Sequence, residues 1–411
     1  MTPSRICRPP VRLIASVVIA FLGVACGGGG DDAGQVEVDT LESGTIVVRN
    51  GAAGVWATGE GWRAVELVRI GSEDSTDPVV LFADVWDVTL DAFGRIYVLD
   101  RQPKEVRVFD PSGVHVRTQG GEGGGPGELR NPIGLAWGPA GNLWVVDQQN
   151  ARYTVFDTAG NYVRSVRREI GGWGYPWGGG FDEAGHLYEP SYFRERTTGA
   201  SRRAYLRHAV GDGVTARDTF DLPEYADSES QYRIEVEGGI TVVSVPFAPQ
   251  LRWRFDGSDG IWFGVNDSYR LYHRGLNGDT LRIVEKRVDP IPVGESDLDA
   301  VRDRFAEFGE PVVNAIIART PDAKPAFEDL VVDDRGYLWV IRTSATHSDR
   351  SVRDITFDVF DPEGVYLGAV KVDVGRYPPP RIIGDHLVGV VRDEFDTPYV
   401  VLHRIEGRRT F

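Results

Sequence analysis

Short apolar segments separated by turn residues recur along this chain at a regular interval. One unit runs from Asp84 to Asp100 and on from Val106 to Arg117; the next runs from Asn131 to Asp147 and on from Tyr153 to Arg164. Each holds four such segments, with a Gly turn after the first and an Asp-x-x-Gly turn after the third. Both turns suit hairpins, because Gly accepts positive φ and Asp bonds its own backbone. Four strands in roughly 40–50 residues is the size of one β-propeller blade.

The Gly of the first turn serves as a landmark: Gly94, Gly141, Gly185, Gly260, Gly336 and Gly384, spaced by 47, 44, 75, 76 and 48 residues. The two long gaps exceed a blade by roughly 30 residues each, less than a further blade of about 40–45. The pattern therefore predicts an all-β, six-bladed propeller with two insertions. Residues 229–245 read as an extra hairpin turning at Gly238 and Gly239. Residues 296–319, within an insertion at 295–320, read as helical. Ser296 with Asp299 resembles a capping box, and Leu298, Val301, Phe305 and Phe308 share one face. Pro311 breaks or kinks that helix, and Val312, Val313, Ile316 and Ile317 begin a second short one. The last unit offers only three strands, about 381–383, 386–391 and 398–404, so closing the ring needs a fourth from the N-terminal side. Thr45–Arg49 and Trp62–Ile70 both qualify. The second directly precedes the first blade and is preferred.

The N-terminus sets the location. Arg5, Arg8 and Arg12 flank and precede Leu13–Val24, an apolar run of 12 residues that is too short to span a bilayer. The run leads through Gly23, Val24 and Ala25 to Cys26. Small residues before the Cys suit signal cleavage, and the arrangement resembles the lipobox of bacterial lipoproteins, with Leu22 four rather than three positions before the Cys. Residues 1–25 are then a signal peptide, Cys26 is the lipidation site, 26–43 form a flexible Gly/Asp tether, and 44–411 form the propeller. Simple secretion with Cys26 idle is the other reading. Cys7 and Cys26 are the only cysteines, so the rest of the chain has no disulfide and no thiolate. The formal net charge of −16 argues against nucleic acid as a partner, because that needs a basic surface.

Asp147, Asn150 and Arg152, followed by Val155, Phe156, Asp157 and Gly160, are similar to the NHL repeat. The Gly-rich stretch from Gly120 to Leu129, with Asn131 and Pro132, looks like the linker between NHL blades. Residues 62–407 as a whole resemble the bacterial six-bladed, NHL-like propeller lipoproteins. Two blades match closely; the other four lack the Asp-x-x-Asn-x-Arg signature. The resemblance implies the fold. It does not single out an activity, since this architecture hosts binders and enzymes alike.

Propeller sites lie in the central channel, lined by the first strand of each blade, and on the loop face beyond it. Counting back from the landmark glycines puts Asp87, Gly134, Gly178, Arg252 and Asp329 in equivalent places, with Glu328 adjacent. Asp87, Arg252, Glu328 and Asp329 are the channel candidates, for a polar ligand or a cation; the competing reading is a ring of structural charge pairs. Asp100, Asp147, Asn150, Asn266, Asp267, Arg342, Arg392 and Asp393 follow the second strands, where such residues tie neighbouring loops together. NHL-like amidating lyases hold zinc with histidines, but none of the seven histidines falls on a predicted channel strand. Calcium-dependent lactonase propellers use oxygen ligands, which Asp87, Glu328 and Asp329 resemble. The run 120–127 lacks the Gly-Lys-Ser/Thr ending of a phosphate loop, and no Gly-x-Ser-x-Gly elbow is present. An aromatic cluster, Trp173 to Trp177, stands before the third blade.

The expectation is an exported, lipid-anchored propeller in the periplasm or at the cell surface, acting as a non-catalytic binding or scaffold module. Its partners would be an envelope protein, a peptide or a small polar ligand, with membrane contact through the anchor alone and no cofactor. The alternative is a calcium-dependent hydrolase, lactonase or lyase working in the channel.

Overall fold

The computed structural model describes residues 34–57, 59–72, 75–168, 177–194, 201–211, 213–223, 230–236, 239–258, 260–344 and 354–408. The signal segment, Cys26 and residues 173–176 of the aromatic cluster lie outside them. The described residues form a six-bladed β-propeller. Blade one comprises Val85–Leu90, Ile96–Asp100, Glu105–Phe109 and His115–Gly120, each antiparallel to the next. Blade two (Pro132–Trp137 to Tyr162–Arg167), blade three (Gly180–Phe181 to Val214–Asp221) and blade five (Phe327–Val332 to Tyr366–Val372) repeat that order. Blade four runs from Leu251–Phe255 to Thr280–Lys286.

Period-two alternation explains how the blades stack, since successive side chains leave opposite faces of a strand. Ile96 and Val98 pack toward blade six, with Val388, Val390, Val400 and Leu402. Tyr97 and Leu99, their neighbours in the same strand, pack toward blade two, with Leu135, Leu143 and Val145. That strand is thus apolar on both faces, and a hydrophobic cluster fills each of the six interfaces between blades.

Closure occurs in blade six. Arg381–Ile383, His386–Arg392 and Pro398–Glu406 come from the C-terminal end, and Arg63–Ile70 adds the outermost strand, with Val400 opposite Ile70. This is the preferred of the two closing segments. The other has a different use: Ile46–Asn50 pairs in parallel with Thr280–Lys286 and extends blade four, while Val36–Thr40 pairs with Ile46–Asn50. The expected tether at 26–43 is therefore corrected from Val36 onward, where apolar and β-branched residues find an open strand edge. Between these strands the chain crosses blade five. Val55 N–H donates to Tyr366 O (3.1 Å) and Trp56 N–H to Leu367 O (2.9 Å). Trp56, Trp62 and Trp339 then form an aromatic row, with Trp56–Trp62 centroids 5.2 Å apart and Trp62–Trp339 centroids 5.8 Å apart.

The two insertions form one unit. The hairpin pairs Gln231–Val236 with Gly239–Ser244, and the helical segment folds as α1 (Glu295–Phe305) and α2 (Glu310–Ile317). Val301, Phe305, Val313 and Ile316 of the helices pack with Tyr232 and Val243 of the hairpin and with Phe247. The helix cap differs from the one expected. Gly294 N–H donates to Asp297 Oδ2 at 3.0 Å, whereas Asp299 faces Arg302. Asp297 also pairs with buried Lys324 at 2.8 Å, which draws it to this end of the helix. Pro311 sits in the first turn of α2, where its missing N–H costs nothing.

Candidate functional site at the channel mouth

The first strand of each blade lines the axis, and register shows which residues share a level. Asp87 lies opposite Leu99, Gly134 opposite Val146, Arg252 opposite Gly264 and Asp329 opposite Ile341. Each of these partners is the residue before the end of its strand. Blades one, two and five carry a bulge just before this level, between Val85 and Asp87, Pro132 and Gly134, and Phe327 and Asp329. Bulges re-aim side chains at sheet edges.

The carboxylates at this level are committed to arginines of adjacent blades. Asp87 is buried; its Oδ1 accepts from Val88 N–H (2.9 Å), and its Oδ2 accepts from Leu135 N–H (2.8 Å) and Arg381 Nη2 (3.3 Å). Burial pushes the Asp87 carboxyl above its ordinary value, while Arg381 and the two N–H groups pull it back down. Asp329 Oδ1 accepts from Leu330 N–H (2.8 Å), and its Oδ2 from Arg254 Nη2 (2.7 Å). Glu328 is held by Arg376. One ion pair thus joins blades six and one, and another joins blades four and five.

Arg252 differs from all of these. Its Nε is buried without a hydrogen-bond partner, and among the described residues the guanidinium has no carboxylate beside it. Arg254 follows two residues later on the same strand face. In blade three, counting back from Gly185 reaches Gly178, where an added Cβ would meet no atom of the described residues within 4 Å. The hydroxyl of Tyr205, from the third strand of blade three, donates to Gly178 O at 3.2 Å. Burial raises that phenol to about 12, against the opposing fields of Arg254 and Arg381, so it remains a donor at neutral pH. The mouth therefore holds three arginines on first strands, Arg252, Arg254 and Arg381, beside the three carboxylates Asp87, Glu328 and Asp329, of which Glu328 is taken by Arg376.

The residues after the second strands hold linkers and turns in place. Asp147 accepts from Arg130 and Asn131 N–H and from Asn150 Nδ2 (2.6 Å). Asn150 donates on to Gly123 O, and Arg152 to Gly125 O and Glu128 O, each of these two at 2.7 Å. The Asp-x-x-Asn-x-Arg residues thus clamp the Gly-rich linker. Asp100 accepts from Ala83 and Asp84 N–H, and Asn266 Oδ1 from Gln250 N–H. Arg342 pairs with Asp358, which also takes Lys286 Nζ (3.2 Å) and the Tyr269 hydroxyl (2.8 Å). Asp393 caps its own turn through Phe395 and Thr397 N–H. Arg392 donates to Asp396 O. Asp267 accepts from the Ser268 hydroxyl.

These residues do not fit a calcium or zinc centre. Calcium needs about six to eight oxygens converging on one point. Here each carboxylate already faces a guanidinium, and among the described residues no three His, Cys, Asp or Glu side chains come together as a metal set. His186 and His273 are bonded to the turn residues Asp182 and Asp256 of their own blades, at 2.9 and 2.7 Å.

Sequence reasoning missed Arg254, Arg381 and Arg376. Counting by two from Arg252 reaches Arg254, and Arg381 opens the last unit. Nothing local marks Tyr205, which reaches the mouth only because glycines stand in front of it.

The class defined by this fold is the six-bladed β-propeller. No family profile matches the chain, and no curated protein matches it. Among solved structures it is similar to a Bacteroides fragilis protein described as exported, at 11% identity and TM-score 0.49, covering 88% of this chain and 99% of that one. It is also similar to a Xanthomonas campestris gluconolactonase, at 11% identity and TM-score 0.42, covering 83% and 97%. A third is the Staphylococcus aureus virginiamycin B lyase, at 10% identity and TM-score 0.41, covering 84% and 99%. The architecture rests on the strand pairing above. No helix among the described residues is long and apolar enough to cross a membrane.

Proposed function

We propose that this chain is an exported binding module, held at an envelope membrane by lipid on Cys26, that presents its channel mouth to a small polar ligand, a peptide or an envelope protein. One observation carries the reading. The acidic groups at the mouth, Asp87, Glu328 and Asp329, are spent on ion pairs with Arg381, Arg376 and Arg254. A hydrolase would need one of them poised as a base or gathered around a cation. What remains is a ring of paired blades that positions side chains, with room for a Cβ at Gly178 among the described residues.

The test pairs stability with location. Chelation should leave the melting temperature of the purified full chain unchanged, and lactones and esters should not turn over. Cys26→Ser should move the protein from the membrane fraction to the soluble fraction. A stoichiometric metal whose removal lowers the melting temperature by several degrees would sink the non-catalytic reading. Membrane association that survives Cys26→Ser would sink the lipid anchor.

A further inference from the structure

We propose that Arg252 anchors an oxyanion subsite in the channel mouth, taking the carboxylate or phosphate of a small polar ligand. The inference deepens the binding-module reading and rests on it.

The first argument is the state of the guanidinium. Several arginines have a buried nitrogen without a partner, among them Arg152, Arg207, Arg274 and Arg408. Each of those holds another group with its remaining nitrogens: Gly125 O, Asp218, Asp221 O and Asp333 respectively. Arg252 has the buried Nε and, among the described residues, no such second hold. A partly desolvated cation without a counter-charge is costly, and a buried donor left unsatisfied calls for a ligand or a solvent partner.

The second argument is placement. Arg252 sits on a paired strand, opposite Gly264, at the level that Asp87 and Asp329 hold in their blades. Arg254 lies about 7 Å further along the same face. It is paired with Asp329 at 2.7 Å, so its charge is spent there, and Arg252 alone of the two is left for a ligand. The neighbouring blade offers Gly178, where an added Cβ would meet no atom of the described residues within 4 Å. Guanidinium groups take carboxylate and phosphate in a two-pronged geometry. The net charge of −16 disfavours a large polyanion, which leaves a small molecule with one or two negative charges.

The test is calorimetric titration of the purified full chain with succinate and with inorganic phosphate, each against chloride at matched ionic strength. Saturable binding by either at millimolar concentration or below is expected, with a rise in melting temperature of about 2–4 °C at saturation. Succinate alone would assign a carboxylate, phosphate alone a phosphate group. Arg252→Gln should weaken that binding about tenfold or more, Arg252→Lys by less, and exposed Arg63→Gln not at all. Without ligand, Arg252→Gln should melt no lower than the parent, because no partner is lost, whereas Arg254→Gln should melt lower. No saturable binding of either anion, or equal binding by Arg252→Gln, overturns the proposal and leaves the binding-module reading standing. Turnover of a bound anion would instead end the non-catalytic reading while the subsite stood.

Discussion

His403 shows how burial sets the behaviour of a single residue here. It lies in the third strand of blade six, is 3% exposed, and its Nδ1 has no hydrogen-bond partner among the described residues. Burial lowers its pKa below the 6.5 of an unfolded chain; Glu66 and Asp373 act in the opposite direction, and Arg69 adds to the lowering. The neutral ring is therefore the folded form. Its contribution to stability is complete above about pH 6.5 and is lost as the pH falls through that value toward the folded pKa. Melting temperature measured from pH 8 to pH 5 should fall more steeply in the parent than in His403→Leu. Equal slopes would show that His403 does not titrate with unfolding. Asp87 acts oppositely: its raised carboxyl favours the folded state as the pH falls, so only the difference between the two proteins isolates the histidine.

At the scale of elements, the N-terminal strands act as a belt joining three blades. Asn50 is its buckle. Its Nδ2 donates to Glu285 O of blade four (3.1 Å) and to Gly364 O of blade five (3.0 Å), and its Oδ1 accepts from Tyr366 N–H (2.8 Å). Asn50→Ala removes these bonds and strands a buried backbone N–H, at a cost of about 2–3 kcal/mol in urea unfolding. A loss below about 0.5 kcal/mol would mean that water replaces the amide without penalty. The paired insertions follow the same logic. Neither hairpin nor helices could bury an apolar face alone, and together they enclose Phe305 and Ile316.

For the whole molecule, closure decides solubility. Arg63–Ile70 covers the edge of Pro398–Glu406, which would otherwise present unpaired backbone groups. A chain beginning at Gly71 should elute as oligomers or aggregates rather than as a monomer in size-exclusion chromatography. A stable monomer from that truncation would mean the ring closes without its fourth strand. The part-buried pairs Asp87–Arg381 and Asp329–Arg254 tie blade to blade in the same way.

Much of this was readable in the chain. Turn glycines and period-two alternation are local signals, so they located six blades, both insertions, the closing strand and the shared level of Asp87, Arg252 and Asp329. The helix cap was misplaced by two residues because Lys324, distant in sequence, claims Asp297. Of the belt, only Val36–Thr40 falls in the expected tether, because nothing in those residues announces the edge they meet. What only the tertiary structure decided is which charges meet. Asp87 and Arg381 are 294 positions apart, and Asn50 and Gly364 are 314 apart. Strand periodicity is a property of neighbouring residues, whereas the neutralisation of one blade's carboxylate by the next blade's arginine, and the lack of any such partner for Arg252 among the described residues, exist only once the ring has closed.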